Sequence, residues 1–194
     1  MDALLIGSQI FAGIVQGMIL VLMAIGLSLI FGMMRVINFA HGAFYMLGAY
    51  TTYTVVSNWG GYWPALVIVP LVAGLFAYVI ELFTIRPLYA RPEEDPILLT
   101  FGLSLVLMEV VRMVFGKVGL PVNIPAGLQG TIRVARFDFP VYLIFVVIVS
   151  ITLTVLLWLF LEKTNTGLIV RAGTHSPETV QILGLDLQRA RRIV

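Results

Sequence analysis

Residues 3–34 contain no aspartate, glutamate, lysine or arginine. A helix rises about 1.5 Å per residue, so roughly 20 apolar residues cross a bilayer, and this run is longer than that. Similar runs recur at residues 38–57, 65–84, 97–115 and 139–161; the third holds Glu81, and the fourth holds Glu109 and Arg112. Hydrocarbon offers no partner to backbone N–H and C=O groups, so runs of this kind read as helices that satisfy their own backbone. Charged residues make up 11% of the chain and hydrophobic ones 60%, against about 25% charged in an average soluble domain. The expected fold is an all-α, polytopic membrane protein with about five transmembrane helices in a single domain, 1–194. No basic residue precedes Arg35, so the first run lacks a signal-peptide n-region and is expected to be a retained span.

The connections are marked by composition. Residues 58–64 pair Gly60 and Gly61 with Trp59, Tyr62 and Trp63, a turn chemistry suited to the membrane boundary. Residues 86–96 hold Pro87, Pro92 and Pro96 among five charges and cannot continue a membrane helix. Asp95 reads as the N-cap of the next helix, with Pro96 at its first position. Residues 116–138 form a second hydrophilic connection, in which 131–139 could make a short strand. With the tail cytoplasmic, Arg35, Arg86, Arg91, Lys163, Arg171, Arg189, Arg191 and Arg192 fall inside and Lys117, Arg133 and Arg136 outside. Eight against three obeys the positive-inside rule, so the N-terminus is expected outside and the C-terminus in the cytoplasm.

Several function classes are excluded or disfavoured. The chain lacks a G-x-x-x-x-G-K-[ST] phosphate loop, an H-E-x-x-H helix and a G-x-S-x-G elbow, so it is not expected to be an enzyme. With no cysteine, and with His41 and His175 far apart, neither a disulfide framework nor a metal site is expected, and no cofactor. A net charge of +2, carried by scattered basic residues, does not point to nucleic acid. Glu81 lies near a helix end with Arg86 close by, and Glu109 and Arg112 sit three residues apart; both read as structural pairs rather than a proton relay. Gly13 and Gly17 form a G-x-x-x-G, and Ser28 and Gly32 a small-xxx-small, spacings that admit close helix packing.

Two segments stand out for transport. Asn38, Phe39, His41 and Gly42 combine polar groups that need partners with small residues that leave room beside them. That is what a broken or cavity-lining segment looks like, although an interfacial histidine is the plainer reading. In the tail, Ser176-Pro177-Glu178 resembles a helix start and Gly184 a stop. A helix that short is marginal alone; it is either a docking element within residues 163–190 or an ordinary connecting turn.

Three separated stretches resemble one family. Gly26-Leu27-Ser28-Leu29-Ile30-Phe31-Gly32, running into Val36-Ile37-Asn38-Phe39-Ala40-His41-Gly42 and Tyr45-Met46-Leu47-Gly48-Ala49-Tyr50, is similar to the permease of the high-affinity branched-chain amino-acid ABC transporters, the LivH type. So are Arg86-Pro87-Leu88 with Leu98-Leu99-Thr100-Phe101-Gly102-Leu103, and Glu162-Lys163-Thr164 through Gly167, Arg171-Ala172 and Leu183-Gly184-Leu185. The resemblance implies a membrane-spanning subunit of an ATP-driven importer for branched-chain amino acids in the bacterial inner membrane. Its implied partners are a second permease subunit, cytoplasmic ATPase subunits, a periplasmic substrate-binding protein and the lipid bilayer. Asn38, Phe39, His41 and Gly42 are the expected substrate-pathway residues on their own chemistry, and the resemblance implies ATPase coupling through Pro177, Glu178, Val180, Leu183 and Gly184. The family's E-A-A-x-x-x-G coupling pattern keeps Glu178 and Gly184 here, whereas Thr179 and Val180 replace both alanines. Family members continue past residue 194 with further helices, so a chain truncated at the C-terminus is expected. A secondary transporter or channel, or an assembly subunit without a path of its own, remains the alternative.

Overall fold

The computed structural model describes residues 2–34, 36–59, 61–89, 91–92, 94–134 and 137–175. It contains α1 (Asp2–Met34), α2 (His41–Trp59), α3 (Tyr62–Ile80), α4 (Glu94–Phe115), β1 (Thr131–Val134), β2 (Phe137–Pro140), α5 (Val141–Lys163) and α6 (Asn165–His175). A π turn, Glu81–Ile85, and a 3-10 turn, Arg86–Leu88, extend α3. Among the described residues the protein is all-α apart from the hairpin β1–β2, and four segments are long and apolar enough to cross a membrane: Leu5–Gly32, Tyr62–Leu88, Glu94–Phe115 and Val141–Lys163.

The fifth expected span, α2, is not one of these four by composition. α2 has a bilayer-compatible 19 residues, but Thr51, Thr52, Thr54, Ser57 and Asn58 keep it out of that apolar group. Its polar side chains turn inward on their own helix. The hydroxyls of Thr51, Thr52 and Thr54 donate to the carbonyls of Leu47, Gly48 and Tyr50 at 2.7, 2.8 and 2.9 Å, and Asn58 Nδ2 donates to the Thr54 carbonyl at 3.0 Å. A helix whose hydroxyls are satisfied in this way loses little by leaving water.

The chain divides into two compact units, one of α1 with the chain from Ala126 onward, the other Arg35–Pro125. In the first, β1 and β2 pair antiparallel with Thr131 opposite Pro140 and Arg133 opposite Asp138. The sequence suggested one short strand; pairing needs two, and Val141 N–H donating to the Gly130 carbonyl at 3.1 Å ties the hairpin base to the start of α5. Phe11 of α1 meets Phe139 of β2 edge-on, with centroids 4.8 Å apart. Phe11 and the buried Val15 share a face of α1. Gly13 and Gly17 lie about 200° round the helix from them at 100° per residue, and a Cβ at either would meet nothing within 4 Å. The close packing expected of that pair is therefore not made among the described residues, whereas Gly32 does lie against Thr174 of α6.

Arg133 and Asp138 form a fork, Nε to Oδ1 at 2.8 Å and Nη2 to Oδ2 at 3.2 Å. The hydrogen bonds from Arg133 hold the Asp138 carboxyl below the usual aspartate range, and Asp138 raises Arg133 in turn. A depressed carboxylate supports the hairpin above its unfolded pKa of about 3.9 and loses that support as pH falls through its folded value. Titration of an isotope-labelled Asp138 carboxyl should give a midpoint below about 3.9, and Arg133→Gln should return it to that value. An unmoved midpoint would rule out the fork.

In the second unit α2 and α3 form a helical hairpin, with Phe44 near the start of α2 and Phe76 near the end of α3 at 6.4 Å between centroids. α2 ends at Trp59 and α3 begins at Tyr62, so the turn is narrower than the aromatic stretch suggested. α4 runs alongside α2: Phe39 meets Phe101 at 6.2 Å, and Tyr50 meets Phe115 at 4.7 Å. α4 starts at Glu94, so Asp95 sits in its first turn with Glu94 instead of capping it. Acidic residues there still face the positive end of the dipole. α4 stops where Gly116, at φ 84°, donates its N–H to the Arg112 carbonyl at 2.9 Å, a left-handed cap that only glycine adopts cheaply.

Candidate functional site

Residues 36–40 are not helical, although both neighbouring segments are. Exposure alternates along them: Val36, Asn38 and Ala40 are buried, Ile37 and Phe39 exposed. This is the period of an extended strand. Asn38 ends the extension. Its Oδ1 accepts from Ala40 N–H at 3.0 Å, and its carbonyl accepts from His41 N–H at 3.2 Å. That side-chain turn launches α2, and asparagine is suited to it because its short amide reaches backbone two residues on.

An extended segment beside apolar helices must find partners for its backbone, and Thr100 of α4 supplies them. Its side chain is fully buried. Phe39 N–H donates to Thr100 Oγ1 at 3.2 Å, and Oγ1 in turn lies 3.2 Å from the Ile37 carbonyl and 3.1 Å from the Ile97 carbonyl. Pro96, one turn earlier on α4, is also fully buried.

The four residues expected along a substrate pathway are contiguous here but differ in placement. Asn38 is 8% exposed and its side-chain oxygen holds backbone. Phe39 is 52% exposed, and His41, the first residue of α2, is half-buried. Gly42 is exposed, with open space where a Cβ would project. Sequence reasoning missed Thr100; it lies in a stretch quoted only for its family likeness, and nothing local shows that its hydroxyl serves a segment 63 residues away.

Of the expected ion pairs, Glu81 and Arg86 form a bidentate bridge, Nε to Oε1 at 3.1 Å and Nη2 to Oε2 at 2.9 Å, with Tyr89 donating its hydroxyl to Oε1 at 2.9 Å. Glu109 and Arg112 meet at 3.5 Å on an exposed face. A structural role suits both better than a relay. Among the described residues no three His, Asp or Glu side chains gather where they could hold a metal ion.

The expected ATPase-coupling residues, Pro177, Glu178, Val180, Leu183 and Gly184, lie outside the described residues. What leads to them is described: the start of the 163–190 stretch is helical. α5 runs to Lys163 and α6 follows at once. Thr164 joins them, its hydroxyl donating to the Phe160 carbonyl at 2.6 Å and accepting from Gly167 N–H at 3.0 Å. Gly167, Val170 and Gly173 form the buried stripe of α6, and Arg171 pairs with Glu162.

Residues 9–194 match the family described as the branched-chain amino acid transport system permease component. The chain belongs to this family. A permease component is a transport subunit rather than an enzyme, and this one is a multi-pass protein of the inner (plasma) membrane. Among curated relatives, it is 30% identical over 189 residues to the probable branched-chain amino acid transport permease protein LivH of Methanocaldococcus jannaschii, covering 92% of this chain and 58% of that protein. It is 26% identical to the high-affinity permease protein BraD of Pseudomonas aeruginosa, covering 92% and 62%, and 26% identical to LivH of Escherichia coli K12, covering 93% and 63%. The permease component thus spans about three fifths of the length of these relatives. No solved structure matches it.

Proposed function

We propose that this chain is the membrane-spanning permease subunit of an ATP-driven importer that carries branched-chain, hydrophobic amino acids. The observation that carries this reading is the family match over residues 9–194. The relatives' names supply the substrate class, and the apolar spans supply a path suited to aliphatic side chains. Its partners are a second permease subunit, two cytoplasmic ATPase subunits that hydrolyse the ATP, and a periplasmic substrate-binding protein. The N-terminus lies outside, which puts Arg35, Arg86 and Arg91 on the cytoplasmic side.

In this scheme the ATPases push on residues 177–184, and α6, docked on its unit by the Thr164 joint, passes that push to the spans. The substrate passes Phe39, His41 and Gly42, while Asn38 shapes the backbone that presents them. A copurification assay tests the scheme. Glu178→Ala combined with Leu183→Ala should lower the ATPase recovered with the permease at least tenfold and abolish leucine uptake by the assembled transporter. Uptake that persists without any ATPase would instead make the protein a secondary transporter. Uptake of urea in place of leucine would keep the mechanism and change the substrate.

A further inference from the structure

We infer that Thr100 is a positioning residue for transport, a latch whose single hydroxyl holds residues 37–39 in place and can release them at low cost. The inference rests on the proposed transport function. Three observations combine. First, the held segment is short and sits between two helices, α1 ending at Met34 and α2 starting at His41. Its side-chain turn at Asn38 is internal, so the turn survives if the segment moves. Second, among the described residues the hydrogen bonds recorded from the backbone of 37–39 to another helix all converge on one atom, Thr100 Oγ1. Third, the hydroxyl has one proton and two carbonyls in reach, Ile37 at 3.2 Å and Ile97 of its own helix at 3.1 Å.

The third observation distinguishes a latch from a fixed staple. A buried hydroxyl stripped of its acceptor bears the full cost of its lost hydration. Thr100 escapes that cost on release, because rotation of its hydroxyl toward Ile97 keeps the proton bonded inside α4. Only Phe39 N–H and the Ile37 carbonyl must then find new partners, and water or a substrate's own polar groups can serve. The residues on the moving segment are the exposed Ile37 and Phe39, and His41 and Gly42 follow directly. A shift of the 37–39 backbone therefore moves the proposed pathway residues together, without unwinding either helix.

The test uses the assembled transporter in membranes and two readouts. Thr100→Val deletes the hydroxyl with little change in volume, and Thr100→Ser keeps it. Thr100→Ala provides a second route, since it removes the hydroxyl without leaving a methyl group in its place. Amide hydrogen exchange at Phe39, whose N–H Thr100 accepts, should rise at least tenfold in Thr100→Val and Thr100→Ala and stay within twofold of wild type in Thr100→Ser. The maximal uptake rate should fall at least tenfold in Thr100→Val and Thr100→Ala, with KM within threefold, and Thr100→Ser should restore it. Unchanged exchange in both Thr100→Val and Thr100→Ala overturns the latch. Raised exchange with undiminished uptake overturns its role in transport. Failure of the unmodified protein to take up substrate refutes the transport reading, and exchange then still decides whether the hydroxyl holds the segment.

Discussion

Gly167→Ala is expected to lower the melting temperature of the detergent-solubilised protein by about 4–8 °C. A Cβ at this position would run into both the Phe160 and Leu161 carbonyl oxygens, far inside an ordinary C···O contact of about 3.3 Å or more. Neither oxygen sits on a flexible side chain, so the α5–α6 joint itself must open. Overpacking of this kind costs about 1–3 kcal/mol. Alanine's greater helix propensity returns at most about 1 kcal/mol, and opening the joint also strains the Thr164 bonds to Phe160 and Gly167. The net loss should be on the order of 2 kcal/mol. Gly74→Ala is the control, since a Cβ there meets nothing within 4 Å. An equal fall in both variants would mean that the close approach at Gly167 is not the cause. Because α6 leads straight into the proposed coupling segment, Gly167→Ala should also reduce ATP-dependent uptake.

Glu81→Leu should destabilise the protein by about 2 kcal/mol, within the range expected when one member of a partly buried ion pair is removed. The bridge is shielded, with Glu81 and Arg86 side chains 19% and 33% exposed. Loss of the carboxylate leaves both the Arg86 guanidinium and the Tyr89 hydroxyl without their shared acceptor. Adding Arg86→Leu should recover at least half of the loss, because removing both partners spares an uncompensated charge. If the double variant is as unstable as the sum of the two single ones, the residues are not coupled. On an ordinary α-helix residues five apart point about 140° away from each other. Pro87 has no N–H to give to the Phe83 carbonyl, and the helix there widens into the π turn Glu81–Ile85, closed by Arg86 N–H on the Glu81 carbonyl. The wider turn brings positions 81 and 86 together.

Much of the membrane architecture was written locally. Long apolar runs marked α1, α3, α4 and α5, because a long apolar helix needs only its own backbone bonds in lipid. The prolines and charges of 86–96 marked the break before α4, since proline removes a backbone donor and crowds the preceding turn, and charges do not continue a membrane helix. Family likeness carried the functional reading and drew attention to residues 36–42 and 162–172. Less was legible where pattern and placement diverge. α2 looked like one more span, but threonines that bond to their own helix make it more polar than its neighbours. The strand at 131–139 needed a partner strand, and α6 carries too few apolar residues to announce itself.

The sequence alone determined that this protein lives in a membrane, which long apolar segments are helical, and where the chain must break between them, because each of these depends on residues adjacent in the chain. Only the tertiary structure decided what the polar residues are for. Asn38 turned out to shape a turn, Glu81 to anchor Arg86 through a widened helix, and Thr100 to hold a segment 63 residues away. Each of these roles depends on which backbone groups a neighbouring element has left without a partner, and that is settled only when the elements pack.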